Sequence, residues 1–293
     1  MADFGLAGKN AFVTGIADDG GFAWQIAKAL QAQGAGVYLA SHPRTVGIVE
    51  RLMRRPGSAE SRKLPYGVEG ELAPKAIFGC DVAYDTADDI PEELRGNKGY
   101  RDHDVSIAGA MARYSELSGG APIDILVHSV AFSPEISNSH LETSRSAYLM
   151  AQSISAYSLV ALTRAAMPLM KDRAASIVGL SYLAANRFVP GYGGGMASAK
   201  ASLECDARAM AFHAGEHGHR VNIVSAGPYP SRAARSVGEI DVMIEAAAER
   251  SPLRRAINRQ EVADAVLYLS SPFASAITGQ VLYVDCGYHA MGV

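Results

Sequence analysis

The sequence lacks long apolar runs, paired cysteines and an excess of positive charge, and each absence excludes a class of protein. No stretch reaches the roughly 18 apolar residues that span a bilayer, and residues 1–10 contain no apolar signal region. Cys80, Cys205 and Cys286 lie far apart, which argues against a disulfide framework or a zinc cluster. With 27 basic and 30 acidic side chains, the chain lacks the excess of positive charge that attracts nucleic acid or an anionic membrane. We therefore expect a soluble, cytoplasmic protein that binds neither.

The sequence does contain a regular alternation of apolar runs. Apolar residues make up 48% and charged residues 19% of the 293 residues, close to the globular average. Short β-prone runs alternate with amphipathic helical patterns, which is typical of parallel strands buried on both faces. The runs span residues 10–14, 37–40, 75–79, 123–129, 176–180, 220–225 and 280–284. They predict an α/β protein with a Rossmann-type, doubly wound parallel sheet of about seven strands, in a single domain covering residues 1–293.

One segment is too long for an ordinary connection between neighbouring strands. Residues 43–104 add the polar stretches RRPGSAESRKLPYGVEG and DDIPEELRGNKGY to the expected helix and strand. We expect this segment to be an insertion at the surface.

Glycines cluster after the first predicted strand. Gly15, Gly20 and Gly21 precede the helical pattern that starts at Phe22. A glycine turn before a helix lets the backbone approach a pyrophosphate, and the helix start offers unpaired N–H groups. The spacing differs from G-x-G-x-x-G, so by spacing alone an ordinary glycine-rich turn explains it equally well. Its place in the first βαβ unit favours a dinucleotide.

The second strand ends in Ser41-His42-Pro43-Arg44, without a carboxylate. Dinucleotide folds that use NAD usually place an acid here, on the ribose hydroxyls, whereas basic groups accommodate the 2′-phosphate of NADP. His42 and Arg44 are therefore either phosphate contacts or solvated loop residues. We expect NADH as the working coenzyme with measurable use of NADPH.

A tyrosine and a lysine form the candidate catalytic pair. Short-chain reductases place a lysine four residues after the active tyrosine, and none of the 13 tyrosines here has that spacing. Tyr192 is instead followed by Lys200, eight residues later, across Gly193-Gly194-Gly195. Because glycine disfavours helix, we expect Tyr192 on a loop and Lys200 in a helix that begins near Met196.

Several longer motifs carry a family resemblance. The segments GIADDGGFAW, DILVHSVA, VPGYGGGMASAKASLE, SAGPYPSRAARSVG and SPFASAITGQVLYVDCG closely resemble the enoyl-acyl-carrier-protein reductases of type II fatty acid synthesis. The chain is most similar to the plastid and related bacterial type, in which the tyrosine and lysine are eight residues apart. The resemblance covers nearly the whole chain.

The resemblance implies hydride transfer from NADH to the β-carbon of a trans-2-enoyl thioester carried by acyl carrier protein. Tyr192 would hydrogen-bond the thioester oxygen, Lys200 would hold the nicotinamide ribose, and Tyr182 would be a second pocket tyrosine. Residues 229–248 would cover the substrate, and the assembly would be a homotetramer.

The resemblance also implies a set of coenzyme and substrate contacts. The coenzyme residues would be Gly15, Ala17, Phe22, Ala23 and Trp24 at the pyrophosphate, His42, Asp81 and Val82 at the adenine, Ser129, Val130 and Ala131 at the nicotinamide, and Ala226, Gly227 and Pro228 at its carboxamide. The substrate residues would be Phe132, Tyr182, Tyr192, Tyr229 and Ala233.

Three positions depart from the family pattern. His42 replaces a tryptophan, Phe132-Ser133 replace Asn-Gly, and Tyr229-Pro230 replace Leu-Gly. The first bears on the coenzyme and the other two on the acyl chain, because they make the pocket wall bulkier or stiffer.

Competing interpretations remain at this stage. His213, Glu216 and His217 match an inverted zinc-protease motif, although Gly215 and Gly218 favour a solvated helix end, so we expect no metal. A reductase of another activated alkene or carbonyl would share the same residues. A non-catalytic dinucleotide sensor would share the fold but not require Tyr192 and Lys200.

Overall fold

The chain folds around one parallel sheet. The computed structural model describes residues 3–231, 234 and 240–292. Its 7 strands lie in the order β3-β2-β1-β4-β5-β6-β7, and every pairing is parallel. The strands are β1 (Asn10–Thr14), β2 (Gly36–Ser41), β3 (Ala76–Gly79), β4 (Ile125–His128), β5 (Ser176–Ser181), β6 (Arg220–Ala226) and β7 (Val281–Val284). The predicted doubly wound fold is confirmed.

Helices cover both faces of the sheet. They are α1 (Phe22–Ala32), α2 (Val46–Arg54), α3 (Ala59–Arg62), α4 (Glu92–Arg95), α5 (Ile107–Ser118), α6 (Arg145–Gln152), α7 (Ser158–Ala166), α8 (Met196–Gly215), α9 (Ile240–Arg250) and α10 (Arg259–Ser270). One core packs α1, α2 and α10 against the sheet, and a second packs α5, α7 and α8 against its other face. In β1, Ala11 and Val13 belong to the first core and Phe12 to the second. This two-sided burial explains why the strands are apolar throughout.

The segment 43–104 is only in part an addition to the fold. It contains α2 and β3, the regular crossover and edge strand of the sheet. The added residues between α2 and β3 are anchored to α1, where the Trp24 indole and the Lys28 ammonium both donate to the Ser61 carbonyl, at 2.9 and 3.0 Å. Arg62 is 7% exposed, and its side chain donates to the Leu52 and Arg55 carbonyls. The insertion therefore packs against the domain, not away from it.

The strand order reverses direction between β1 and β4. The chain leaves β1 toward β2 and leaves β4 toward β5, so a crevice opens at the carboxyl ends of β1 and β4. Gly15 follows β1 with φ +81°, and a Cβ there would lie 2.0 Å from the Ser129 carbonyl oxygen. The two chain segments can therefore touch only because residue 15 has no side chain.

No helix within the described ranges is long and apolar enough to cross a membrane.

We predict that Gly15→Ala destabilises the protein far more than Gly8→Ala. Gly8 has a similar φ of +73°, but a Cβ there meets nothing within 4 Å. Gly8→Ala should cost only the left-handed backbone, about 1–2 kcal/mol, whereas Gly15→Ala adds an overlap costing about 1–3 kcal/mol more. Urea unfolding of both variants measures the difference. Equal losses would contradict the close approach.

Candidate active site

The start of α1 lies at the crevice and is open to an anion. Its N-cap, Gly21, supplies no side-chain hydrogen bond, and the first turn contains no acidic residue. Ala23 and Trp24 are 2% and 0% exposed, and the Trp24 indole is bonded to Ser61. A pyrophosphate would therefore meet their backbone N–H groups and not their side chains. With Gly15 and Ala17 on the preceding turn, this site fits the dinucleotide that the sequence predicts.

Two tyrosines meet beyond the carboxyl end of β5. The rings of Tyr182 and Tyr192 pack edge to face with centroids 4.9 Å apart. Burial raises the pKa of Tyr192, and burial together with the neighbouring Tyr192 raises the pKa of Tyr182. Both hydroxyls are therefore protonated at neutral pH and can donate a hydrogen bond to an oxygen that gains negative charge.

Lys200 lies in the first turns of α8, which begins at Met196 as predicted. The residue is 4% exposed, and its ammonium donates to the Leu180 carbonyl at 2.8 Å. Burial lowers the pKa of Lys200 to about 8, against an opposing effect of Glu204 one turn further along the helix. Lys200 is thus a buried cation held by a backbone carbonyl of β5.

A polar network that the sequence did not predict surrounds Glu204, one helical turn after Lys200. The Glu204 carboxylate accepts from the Ser181 hydroxyl at 2.7 Å and from the Asn186 amide at 2.9 Å. Asn186 also donates to the Tyr283 hydroxyl at 3.2 Å. The four-residue spacing of Lys200 and Glu204, which places both on one face of a helix, is the sequence feature that could have predicted this network.

The three glycines between Tyr192 and Lys200 fit against another loop. A Cβ on Gly193 would lie 1.8 Å from the Asn138 carbonyl oxygen, and one on Gly195 would lie 2.9 Å from the Tyr148 ring. Gly194 has φ +59°, and its carbonyl accepts from the buried Ser133 hydroxyl at 2.7 Å. The loop after β4 thereby positions the segment between the tyrosine and the lysine.

The end of β2 contains no acid of its own, but an acid from the neighbouring strand lies beside it. Asp81, which follows β3, places its carboxylate 3.3 Å from His42 Nε2 and accepts from the Tyr100 hydroxyl at 2.6 Å. The His42 and Tyr100 hydrogen bonds hold the pKa of Asp81 low even though burial opposes this. The Arg44 backbone N–H donates to His42 Nδ1 at 3.1 Å, so both nitrogens of the ring have a partner. Val82, next to Asp81, is also buried.

The residues predicted to contact the nicotinamide lie at the carboxyl ends of β4 and β6, on the same edge of the sheet. Ser129 and Val130 are partly buried and Ala131 is exposed, whereas Ala226, Gly227 and Pro228 are all buried. Phe132 is 49% exposed, and its backbone exchanges hydrogen bonds with the Ser155 hydroxyl at 2.9 and 3.1 Å. Its backbone is fixed while about half of the residue's surface remains accessible.

The predicted covering segment, residues 229–248, lies against these groups where the structure describes it. Tyr229 packs on Phe22 at the start of α1, with ring centroids 5.2 Å apart. In α9, Ile240 and Met243 form an apolar cluster with Tyr182 and the partly buried Tyr192. Ala233, a predicted substrate residue, lies outside the described residues.

The zinc-protease pattern does not form a metal site in the described part of the chain. His213 lies in the last turn of α8, and His217 follows the end of that helix. No group of three histidine, cysteine, aspartate or glutamate side chains within residues 3–231, 234 and 240–292 is arranged to hold a metal ion.

The arrangement defines a class of protein. An uncapped helix start beside a glycine-lined crevice suits a dinucleotide, and buried tyrosine hydroxyls near a lysine suit a carbonyl oxygen on which charge develops. Fold and site together are those of a nucleotide-dependent reductase.

Comparisons with known proteins specify the family. A family model described as enoyl-(acyl carrier protein) reductase matches residues 96–289. The chloroplastic NADH enoyl-[acyl-carrier-protein] reductase of Arabidopsis thaliana is 45% identical over 98% of this chain and 73% of that protein. The NADH-type enzyme of Aquifex aeolicus is 36% identical over 98% of this chain and 94% of that protein.

Solved structures agree. The Plasmodium berghei enoyl-acyl-carrier-protein reductase, solved with triclosan, has a TM-score of 0.91 at 33% identity and covers 97% of this chain and 98% of that chain. The Anaplasma phagocytophilum reductase, solved with NAD, has a TM-score of 0.79 at 32% identity and covers 98% of this chain and 96% of that chain. The chain belongs to the enoyl-[acyl-carrier-protein] reductases of the short-chain dehydrogenase/reductase superfamily.

We predict that Lys200→Met removes a specific pH dependence of stability. The unfolded lysine has a pKa near 10.5 and the folded one near 8, so between these values the unfolded chain binds the additional proton. The unfolding free energy of the wild type should therefore rise by about 1.4 kcal/mol per pH unit relative to Lys200→Met. Urea unfolding from pH 7.5 to 9.5 measures this, with the exposed Lys171→Met as a flat control. If the difference in unfolding free energy between the wild type and Lys200→Met did not change with pH, the ammonium of Lys200 would be solvated in the folded protein.

Proposed function

We propose that the protein reduces the double bond of trans-2-enoyl thioesters, with NADH as coenzyme and acyl carrier protein as the carrier of the substrate. The observation that supports the proposal is the packing of Tyr182 on Tyr192 just beyond β5, with the Lys200 ammonium bonded to the Leu180 carbonyl of that strand, in a member of this reductase family. NADH, when bound, supplies a hydride to the β-carbon.

The chain's own residues stabilise the charge that develops. The protonated Tyr192 hydroxyl donates to the thioester oxygen as that oxygen becomes enolate-like, and its high pKa keeps the proton in place until the charge forms. Tyr182 packs against that ring and restricts its orientation. Lys200 holds the ribose hydroxyls and adds a positive charge on the same side.

The remaining contacts are assigned by position. The backbone of Gly15, Ala17, Phe22, Ala23 and Trp24 would hold the pyrophosphate, and His42, Asp81 and Val82 the adenine. Ser129, Val130, Ala131, Ala226, Gly227 and Pro228 would face the nicotinamide. Phe132, Tyr229 and Ala233 would contact the acyl chain, and residues 229–248 would cover it within a single reductase domain.

The assembly and compartment form part of the same proposal. We propose a homotetramer, supported by apolar side chains exposed near the C-terminus: Phe273 is 64% and Met291 41% exposed. Light scattering measures the mass in solution. We propose a cytoplasmic location, supported by three cysteines that are all free.

We predict that Tyr192→Phe lowers kcat for an enoyl thioester by about 10²–10³-fold and leaves NADH binding within about twofold, because the hydroxyl acts only when the oxyanion forms. Stopped-flow kinetics and fluorescence titration with NADH measure the two quantities. Tyr38→Phe, a buried tyrosine of β2, is the matched control and should retain full activity. Turnover unchanged in Tyr192→Phe would assign the oxyanion to another donor.

The contact of His42 with Asp81 also predicts the coenzyme preference. A carboxylate at the adenosine end repels a 2′-phosphate, whereas the exposed Arg44 attracts it. We expect Asp81→Asn to raise the NADPH to NADH ratio of kcat/KM and Arg44→Ala to lower it, both effects shrinking in high salt. Ratios that respond to neither variant would place the ribose away from this loop.

A further inference from the structure

The chain between β3 and α5 forms an apolar cluster to which the proposed reaction assigns no role. Ile90, Tyr100 and Val105 are buried together, and Tyr84 and Leu94 are partly buried against them. This group, called the Tyr100 cluster below, is separate from the two cores that pack on the faces of the sheet. Its polar contacts indicate what it holds in place.

Two hydrogen bonds join the Tyr100 cluster to Asp81. The Tyr100 hydroxyl donates to Asp81 Oδ2 at 2.6 Å, and the Asp81 backbone N–H donates to the Val105 carbonyl at 2.6 Å. Tyr100 is 8% and Asp81 6% exposed. Burial and the bond to Asp81 raise the pKa of Tyr100, so its hydroxyl stays protonated and can donate. One cluster therefore holds both the main chain and the carboxylate of Asp81.

The same segment also contacts the loop that follows β2. Gly99, next to Tyr100, has φ +99°, and a Cβ there would lie 2.9 Å from the Pro43 carbonyl oxygen. His42, which precedes Pro43, has its Nε2 3.3 Å from Asp81 Oδ2. Residues 99 and 100 therefore touch both chain segments that border the proposed adenine site, the one after β2 and the one after β3.

The Asp81 carboxylate keeps room for one more donor. Its two oxygens offer about four acceptor positions. Oδ1 accepts from the Ala83 backbone N–H at 3.1 Å, and Oδ2 faces the Tyr100 hydroxyl and His42 Nε2. Nε2 carries the ring hydrogen, because His42 Nδ1 accepts from the Arg44 backbone N–H. Within the described part of the chain one position on Oδ1 is left, which suits an amino group such as that of adenine.

We propose that Tyr100 is a positioning residue for the adenosine end of the coenzyme. It fixes the Asp81 carboxylate, and together with Gly99 it fixes the loop after β2, so that both are in place before the coenzyme binds. The cluster acts on coenzyme affinity and not on hydride transfer, because β1 and β4 lie between β2 and the strand that precedes the proposed catalytic tyrosines. The inference rests on the proposed function in taking NADH as the coenzyme.

The first experiment measures binding without turnover. Tyr100→Phe removes only the hydroxyl and leaves the ring in the cluster. We expect it to raise the Kd of NADH and of ADP-ribose about five- to tenfold, because the adenosine site is no longer preorganised. Fluorescence titration measures NADH, and competition with NADH measures ADP-ribose.

Tyr114→Phe is the matched control for the loss of a buried tyrosine hydroxyl. Tyr114 is 0% exposed, and its hydroxyl donates to the Pro122 carbonyl at 3.0 Å. Pro122 precedes β4 and therefore lies at the opposite edge of the sheet from the proposed coenzyme site. The Kd of NADH in Tyr114→Phe should stay within about twofold of the wild type, since only a local hydrogen bond is lost.

Steady-state kinetics separate positioning from a general loss of structure. In Tyr100→Phe the KM for NADH should rise by the same factor as the Kd, whereas kcat at saturating NADH should stay within about twofold, because the nicotinamide end is unchanged. A fall in kcat without a change in KM would overturn the proposal.

The free protein gives a readout that needs no coenzyme. Urea unfolding of Tyr100→Phe, Asp81→Asn and the double variant forms a double-mutant cycle. We expect the product of the two single effects on the unfolding constant to exceed the effect of the double variant about tenfold, because both changes remove the same hydrogen bond. Independent effects would overturn the proposed hold of Tyr100 on Asp81.

Gly99→Ala supplies a second variant if Tyr100→Phe does not fold. Its methyl group would press on the Pro43 carbonyl and should raise the Kd of NADH about fivefold or more. Gly67→Ala, at φ +71° and with no described atom within 4 Å of the Cβ, should leave it unchanged. A wild type that does not bind NADH overturns the proposed function together with this inference. A wild type that binds NADH, with the same Kd in either folded variant, overturns this inference alone.

Discussion

The approach of the chain after β1 to the chain after β4 is the contact on which the rest of the site depends. A single methyl group on Gly15 would overlap the Ser129 carbonyl, so the crevice exists in this form only with glycine at that position. Because the chain continues from β1 toward one edge of the parallel sheet and from β4 toward the other, a crevice opens above the contact. The start of α1, the turn after β4 and Tyr229, where the predicted covering segment begins, lie at this edge of the sheet.

A second close packing positions the proposed catalytic groups. The triglycine segment lies against the carbonyls of the loop after β4, which leaves no room for side chains at Gly193 or Gly194. It connects Tyr192, on one side, to a helix whose first turns carry Lys200. Tyr192 and Lys200 are eight residues apart because the chain between them first runs along the loop after β4 and only then enters α8. Ser133, a departure from the family pattern, bonds directly to that path.

Burial separates the chemistry of these groups. It keeps the tyrosine hydroxyls protonated and therefore able to donate a hydrogen bond, and it makes the lysine a cation held at a cost in stability. A site built in this way gives up stability for a charge placed away from water, as functional sites commonly do. The Leu180 carbonyl and Glu204 offset part of the cost, the carboxylate being held in turn by Ser181 and Asn186.

The sequence by itself determined the sheet, because strands buried on both faces must be apolar throughout and the helices between them must be amphipathic. It also predicted Tyr192, Lys200 and the glycine turn as site residues, from their residue types and from the resemblance of the surrounding motifs to the family. Tertiary structure alone decided which distant groups meet. Asp81 reaches His42 because β3 pairs with β2, Glu204 meets Ser181 because α8 packs on β5, and Trp24 is a core residue because the insertion folds back onto α1. Such contacts depend on strand order and helix packing, which bring together residues that no local pattern relates.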